Sequence, residues 1–183
     1  LTLCSPQMYS RWISSRCAMQ QQHLSAHCFL NQVLIRHPKE RGNRVIYYTS
    51  DLHFSHQNII KFDGRPYNTV EQMNADLINR WNSVVSNRDD VYVIGDMFWV
   101  PDEAPMILEQ LNGKIHLIKG NHDKISSDMM RYFSSISGYA ELNDTGRYVI
   151  LCHYPIMFYN HSCMRNCWML CGHVHNTREN TWL

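Results

Sequence analysis

The sequence predicts one α/β domain that begins near residue 44. Short apolar runs rich in Val, Ile and Tyr alternate with amphipathic segments, and a chain of 183 residues has the size of a single domain with its own core. A polar side chain with metal-binding capacity follows each run. We expect the runs to form β-strands at residues 45–50, 91–94, 115–119, 148–152 and 168–171.

Two helices are expected between the first three strands. Thr69 followed by Gln72 is the arrangement of a capping box, so a helix should begin there. A shorter helix should cover residues 102–111, because Pro105 is tolerated in a first turn. The first helix should bury the apolar residues that recur at helical spacing, which are Val70, Met73, Leu77, Trp81, Val84 and Val85.

The two ends of the chain differ from this pattern. Residues 1–39 contain no Asp or Glu, and we interpret residues 1–43 as an atypical, disordered or non-domain extension without a function of its own. Residues 44–183 form the predicted domain. The chain ends eight residues after His175, so we expect a truncated C-terminus that leaves a sheet edge open beside the last strand.

Composition argues against several classes of partner. Seventeen Lys and Arg against sixteen Asp and Glu give a net charge of +1 without long runs of one sign, so nothing indicates a nucleic-acid partner. The apolar runs are far shorter than the roughly 20 residues of a membrane helix, so no membrane partner is expected. Seven cysteines, an odd number in an irregular arrangement, favour a reducing, cytoplasmic location.

The polar residues after the five predicted strands have the chemistry of a metal site. Carboxyl ends of strands are where α/β sheets bind ligands, so these side chains should converge. Glycines at 95, 120 and 172 would leave space for them. The competing interpretation is that the polar residues merely cap turns. The candidate ligands are Asp51, His53, Asp96, Asn121, His153, His173 and His175.

Two divalent ions fit this set better than one. Carboxylate, amide and imidazole groups suit hard and borderline divalent ions, and seven ligands exceed what one tetrahedral ion uses. A carboxylate in the middle of the set can bridge two ions about 3.5–4 Å apart. The expected cofactor is a pair of Mn²⁺ ions, with Fe²⁺, Zn²⁺ or Ni²⁺ as alternatives.

The order and spacing of these motifs resemble those of the calcineurin-like metallophosphoesterase superfamily. The resemblance covers residues 44–178 and is closest to small single-domain members from bacteria and phages. It implies a central β-sandwich flanked by helices, in four layers α/β/β/α. The motifs are Asp51-Leu-His53, Gly95-Asp96, Gly120-Asn-His-Asp123, His153 and Gly172-His-Val-His175.

The resemblance also implies a role for each site residue. Asp96 would bridge two ions whose other ligands are Asp51, His53 and His175 for one, and Asn121, His153 and His173 for the other. His122 would lie near the leaving-group oxygen as a catalytic proton donor, with Asp123 as the catalytic residue that orients it. A structural hydrogen bond between His122 and Asp123 is the competing interpretation. The implied reaction is in-line attack on phosphorus by a metal-bound hydroxide.

The substrate class follows in part from what the sequence lacks. Met97-Phe-Trp-Val100 stands where a protein phosphatase would have Asp-Arg-Gly, and 183 residues leave no space for the cap of a nuclease. We therefore expect hydrolysis of a small phosphodiester or phosphomonoester, such as a nucleotide, with His56, Asn58 and Arg65 as substrate contacts. The oligomeric state is not indicated. The alternative function is a non-catalytic, metal-stabilised scaffold of the same fold.

Overall fold

The computed structural model describes residues 21–23 and 44–175, which form two four-stranded β-sheets and several helices. This architecture confirms the predicted α/β class. The strands are β1 (Gln21–His23), β2 (Ile46–Thr49), β3 (Asp90–Ile94), β4 (Lys114–Ile118), β5 (Phe133–Ser137), β6 (Ala140–Asp144), β7 (Arg147–Leu151) and β8 (Cys167–Cys171). The helices are α1 (Ile59–Phe62), α2 (Val70–Val84), a short 3-10 helix (Pro101–Glu103), α3 (Ala104–Leu108) and α4 (Ser127–Met130).

Helix α2 begins as the sequence predicted. The Thr69 side chain accepts a hydrogen bond from the N–H of Gln72, and the Gln72 side chain accepts one from the N–H of Asn68. The buried face comprises Met73, Leu77 and Trp81. The prediction for Val84 was wrong, because this residue is exposed, whereas Val85, which was also predicted, is buried as expected.

The second predicted helix is shorter than expected. A 3-10 turn over Pro101–Glu103 leads into α3, which ends at Leu108 rather than at Leu111. The N–H groups of Gln110 and Leu111 bond to carbonyls three residues earlier, which closes the helix in a tight turn. The helix therefore covers less of the sheet than the sequence pattern indicated.

The two sheets carry the five predicted strands and three others. The first sheet has the order β2-β3-β4-β5 and is entirely parallel, and the second has the order β1-β8-β7-β6, with only β6 and β7 antiparallel. Strands β5 and β6 were missed because they have at most one buried residue each, whereas the predicted edge strand β2 has three. Strand β1 pairs with β8, so the edge expected to be open is occupied.

A short N-terminal segment lies in the second sheet. Gln21–His23 belongs to a sheet, which corrects the interpretation of residues 1–43 as wholly separate from the domain. Residues 1–20, 24–43 and 176–183 lie outside the described residues. None of the helices in the described part of the chain has the length and hydrophobicity that a membrane crossing requires.

Two hydrophobic layers hold the sheets in place. Helices α2 and α3 pack on one face of the first sheet, where Trp81 and Leu108 join one cluster with Val91 and Leu117. The opposite face packs against the second sheet through Tyr48, Ile94, Ile118, Val149, Leu151 and Leu170. Loop residues Ile156 and Tyr159, not a helix, cover the outer face of the second sheet. A fourth, helical layer is thus absent from residues 44–175.

Candidate metal centre

The seven predicted ligands lie together at the carboxyl ends of five strands. Because the two sheets pack face to face, both contribute ligands to the site. The site is therefore formed by two sheets and not by a crevice within one open sheet. The first sheet supplies Asp51 and His53 after β2, Asp96 after β3, and Asn121 after β4. The second supplies His153 after β7, and His173 and His175 after β8.

One half of the site contains two histidines and two carboxylates. The Nε2 atoms of His53 and His175 are 3.1 Å apart, and Nε2 of His175 is 3.4 Å from Oδ1 of Asp51. Oδ2 of Asp96 lies 3.9 Å from Nε2 of His53. The four ligand atoms all lie within 4.8 Å of one another, so this group could hold a metal ion.

The other half of the site also includes Asp96. Nε2 of His153 lies 3.4 Å from Oδ2 of Asp96 and 3.1 Å from Oδ1 of Asn121. Nδ1 of His173 lies 3.0 Å from the same oxygen of Asn121. The carboxylate of Asp96 therefore stands between two groups of nitrogen and oxygen ligand atoms.

The electrostatics of the site suit cation binding. Burial, with the neighbouring His175, lowers the pKa of His53 to about 3, so its imidazole is neutral and has a lone pair to share. Burial disfavours the charged form of Asp96, yet the His153 imidazole and the His122 N–H hold its pKa low, at about 2. The neutral His53 imidazole and the ionised Asp96 carboxylate are two donor groups of the kind that a divalent metal ion needs.

The backbone around the ligands is in a rarely populated conformation. Residues other than glycine with positive φ are uncommon, and each costs about 1–3 kcal/mol unless its surroundings hold it. Hydrogen bonds from the N–H of Asp51 to the Gly95 carbonyl and from that of His53 to the Asp96 carbonyl hold two of these loops together. Such strain concentrates at functional sites. It occurs here at Asp51 (53°), His53 (51°), Asp96 (53°), His173 (75°) and His175 (42°).

Three glycines make room for the ligands by close approach. A Cβ atom at any of them would overlap a candidate ligand, and this explains the glycines just after strands β3, β4 and β8. The pairs in contact are Gly95 with the His153 ring, Gly120 with the Asp96 carboxylate, and Gly172 with the Asp51 carboxylate.

Substitution of Gly120 tests whether this space is needed. The φ of Gly120 is not in the left-handed region, so Gly120→Ala adds a methyl group against Asp96 without backbone strain of its own. We expect a loss of stability of about 1–3 kcal/mol from overpacking and weaker metal binding, because Asp96 must move. Gly138→Ala, where nothing lies within 4 Å, is the matched control. Equal Mn²⁺ affinity in both variants, measured by calorimetry, would contradict this account.

His122 lies next to the candidate ligands but outside both groups. Its backbone N–H donates to Oδ1 of Asp96 at 2.9 Å, while its half-exposed ring has Nε2 at 3.9 Å from Oδ2 of Asp96. The Asp123 carboxylate accepts the N–H groups of Gly120, Asp96 and Met97 at 2.8–2.9 Å. The partners of the Asp123 carboxylate are therefore backbone amides, and the expected contact with the His122 ring is not formed.

The predicted substrate contacts have three different environments. Arg65 is buried and donates to the carbonyls of Leu52 and Asp51, so the prediction that it contacts phosphate was wrong. His56 is also buried, and its ring stacks on Trp99 with the centroids 3.7 Å apart. Asn58 is exposed at the start of α1, where its side chain makes no capping hydrogen bond.

Sequence reasoning missed Asp63, whose carboxylate Oδ2 lies 3.1 Å from Nδ1 of His175. Asp63 follows helix α1, whereas the predicted ligands all follow strands. The sequence does contain a signal for this residue. Asp63 lies two residues before Arg65, and an acidic and a basic residue so close in sequence can form a buried ion pair.

Three similar proteins have names that state no activity. No family model matches the chain. An uncharacterized protein of Methanocaldococcus jannaschii is 50% identical over 84 residues, which are 44% of this chain and 48% of that protein. The Gene 66 protein of Mycobacterium phage L5 is 30% identical over 89 residues, 42% of this chain and 39% of that protein. The matches thus span about half the length of these relatives or less.

One solved structure has the same overall fold. It is a protein of unknown function from Aquifex aeolicus, with a TM-score of 0.61 and 28% sequence identity. The similarity covers 75% of this chain and 82% of that one. The chain is therefore similar in sequence to proteins of an archaeon and a phage, and in its mixed α/β fold to a protein of a bacterium.

Proposed function

We propose that the chain hydrolyses a small phosphoester with two divalent metal ions, on a calcineurin-like metallophosphoesterase framework. The observation that carries the proposal is the position of Asp96, whose carboxylate stands between two groups of ligand atoms. The face-to-face packing of the two sheets favours the β-sandwich of that superfamily. A nucleotide-like substrate and a cytoplasmic location stay predictions.

The donor set favours a hard or borderline metal. Its ligands are imidazole nitrogens, carboxylates and one amide oxygen, and thiolates take no part: Cys171, at the end of β8, is buried and has a raised pKa of about 12, caused by burial. Mn²⁺ is the expected ion, with Fe²⁺, Zn²⁺ or Ni²⁺ as alternatives. When bound, the ions would activate water and neutralise charge on the phosphoryl oxygens.

The protein side chains supply the remaining chemistry. The His122 imidazole is half-exposed beside Asp96, so it can reach a substrate oxygen and donate a proton to a leaving group. Asp123 fixes the loops that carry Asp96 and His122 through three backbone hydrogen bonds. We therefore assign Asp123 a structural part in the site and His122 the catalytic one.

Activity should depend on metal in a reversible way. Protein treated with a chelator should not hydrolyse bis-p-nitrophenyl phosphate, and added Mn²⁺ should restore turnover. The reason is that the candidate ligands themselves contain no electrophile that could replace the metal ion. The measurement is nitrophenolate release with parallel metal analysis. Hydrolysis that survives exhaustive chelation would contradict the proposal. Two bound ions without turnover on any phosphoester would favour the alternative, a metal-stabilised scaffold.

A further inference from the structure

The imidazole ring of His175 has a contact partner on each side, and the partner of its Nδ1 atom has no role in the proposed function. Nε2 of His175 faces the candidate metal centre, 3.1 Å from Nε2 of His53. Nδ1, on the other side of the ring, lies 3.1 Å from Oδ2 of Asp63. An ionised carboxylate can only accept a hydrogen bond, so Nδ1 carries a proton, and in the neutral ring Nε2 then keeps its lone pair for a metal.

Asp63 is itself held in place by Arg65. Nη2 of Arg65 lies 3.2 Å from Oδ2 of Asp63, and the two side chains are 0% and 5% exposed, respectively. The same guanidinium donates to the carbonyl of Leu52 at 2.8 Å and to that of Asp51 at 2.9 Å. Arg65 therefore joins the carboxylate behind His175 to the loop that presents Asp51 and His53.

The other half of the site has a different kind of support. Nδ1 of His153 lies 2.9 Å from the backbone carbonyl of Ile94, a group that no side-chain substitution removes. One half therefore relies on a buried ion pair of side chains, and the other on the main chain of β3. A change at Asp63 should then affect one metal position and leave the other intact.

We infer that Asp63, anchored by Arg65, is a positioning residue for one metal ion only, the ion held by Asp51, His53 and His175. The inference rests on the two-ion centre of the proposed function. Asp63 touches no substrate and acts by fixing the tautomer and orientation of the His175 ring. Residues in this position behind a histidine ligand typically contribute about 10–100-fold to metal affinity.

A calorimetric titration with Mn²⁺ tests the inference on the full chain. We expect two ions to bind to the wild type, and Asp63→Asn to weaken one of them by about 10–100-fold while the other is unchanged. Asp76→Asn is the matched control: Asp76 also accepts two side-chain hydrogen bonds, from Tyr67 and Arg80, but it contacts no candidate ligand. Both ions should bind to this control with wild-type affinity.

The possible outcomes separate this inference from the proposed function. A wild type that binds no Mn²⁺ would overturn both. Two ions that bind the wild type and Asp63→Asn equally would overturn only the role of Asp63, as would an equal weakening of both ions. A merely structural role would lower the melting temperature of the metal-free variant without changing either affinity.

A second measurement needs no variant and covers the case in which Asp63→Asn does not fold. Long-range ¹H–¹⁵N correlation of the imidazoles in the metal-free wild type at alkaline pH reports which nitrogen of His175 carries the proton. We expect the Nδ1–H tautomer. An Nε2–H tautomer of His175 would overturn the inference.

Discussion

Asp96→Asn should abolish turnover and lower the affinity for both metal ions. The change keeps the size of the side chain but removes the negative charge that both groups of ligands face at 3.4 and 3.9 Å. Loss of a supporting residue already costs about 10–100-fold in metal affinity or activity. Loss of a ligand shared by two ions should exceed that range, and no other single ligand should have an effect as large.

The structure offers a control for the cost of altering a buried aspartate. Asp144 is 2% exposed, as against 1% for Asp96, and it accepts a hydrogen bond from the Tyr48 hydroxyl far from the site. Asp144→Asn should change the melting temperature but neither metal content nor the rate per folded molecule. If Asp96→Asn bound two ions tightly and kept full turnover, Asp96 would not be the shared ligand.

The sequence predicted the strands of the core because their burial leaves a clear pattern. Each of the five predicted strands has at least three buried residues, and the ligands follow directly at the strand ends. Strand β5 has none, so its pattern differs little from that of a loop. Local composition therefore identified the strands that position the site, including the edge strand β2, and missed the edge strands β5 and β6, which have at most one buried residue each.

Long-range contacts of side chains could not be predicted in the same way. Arg65 was expected to reach solvent and phosphate, but the turn after α1 directs it inward to the carbonyls of Asp51 and Leu52. Asp123 was expected to orient His122, but the three amides around it are brought together by β3 and β4. In both cases the partner is a backbone group, whose position only the folded chain defines.

His122→Ala should slow hydrolysis by an amount that depends on the leaving group. His122 belongs to neither ligand group, and its half-exposed ring can approach a substrate oxygen. A nitrophenolate departs readily without a proton, whereas an alkyl or ribose alkoxide does not. Positioned proton transfer is worth about 10²–10⁴ in rate, so we expect a loss of that size on alkyl or nucleoside esters and a much smaller loss on nitrophenyl esters.

The local geometry makes His122→Ala a clean test of proton donation. The contact with Oδ1 of Asp96 comes from the backbone N–H of residue 122, so alanine keeps it and the Asp96 carboxylate should stay in place. Metal content, measured on the same samples, should therefore equal that of the wild type. Equal losses on both types of ester would instead indicate that His122 positions the phosphoryl group. Loss of metal would make His122 a ligand or the support of one, and either result would remove it as the proton donor.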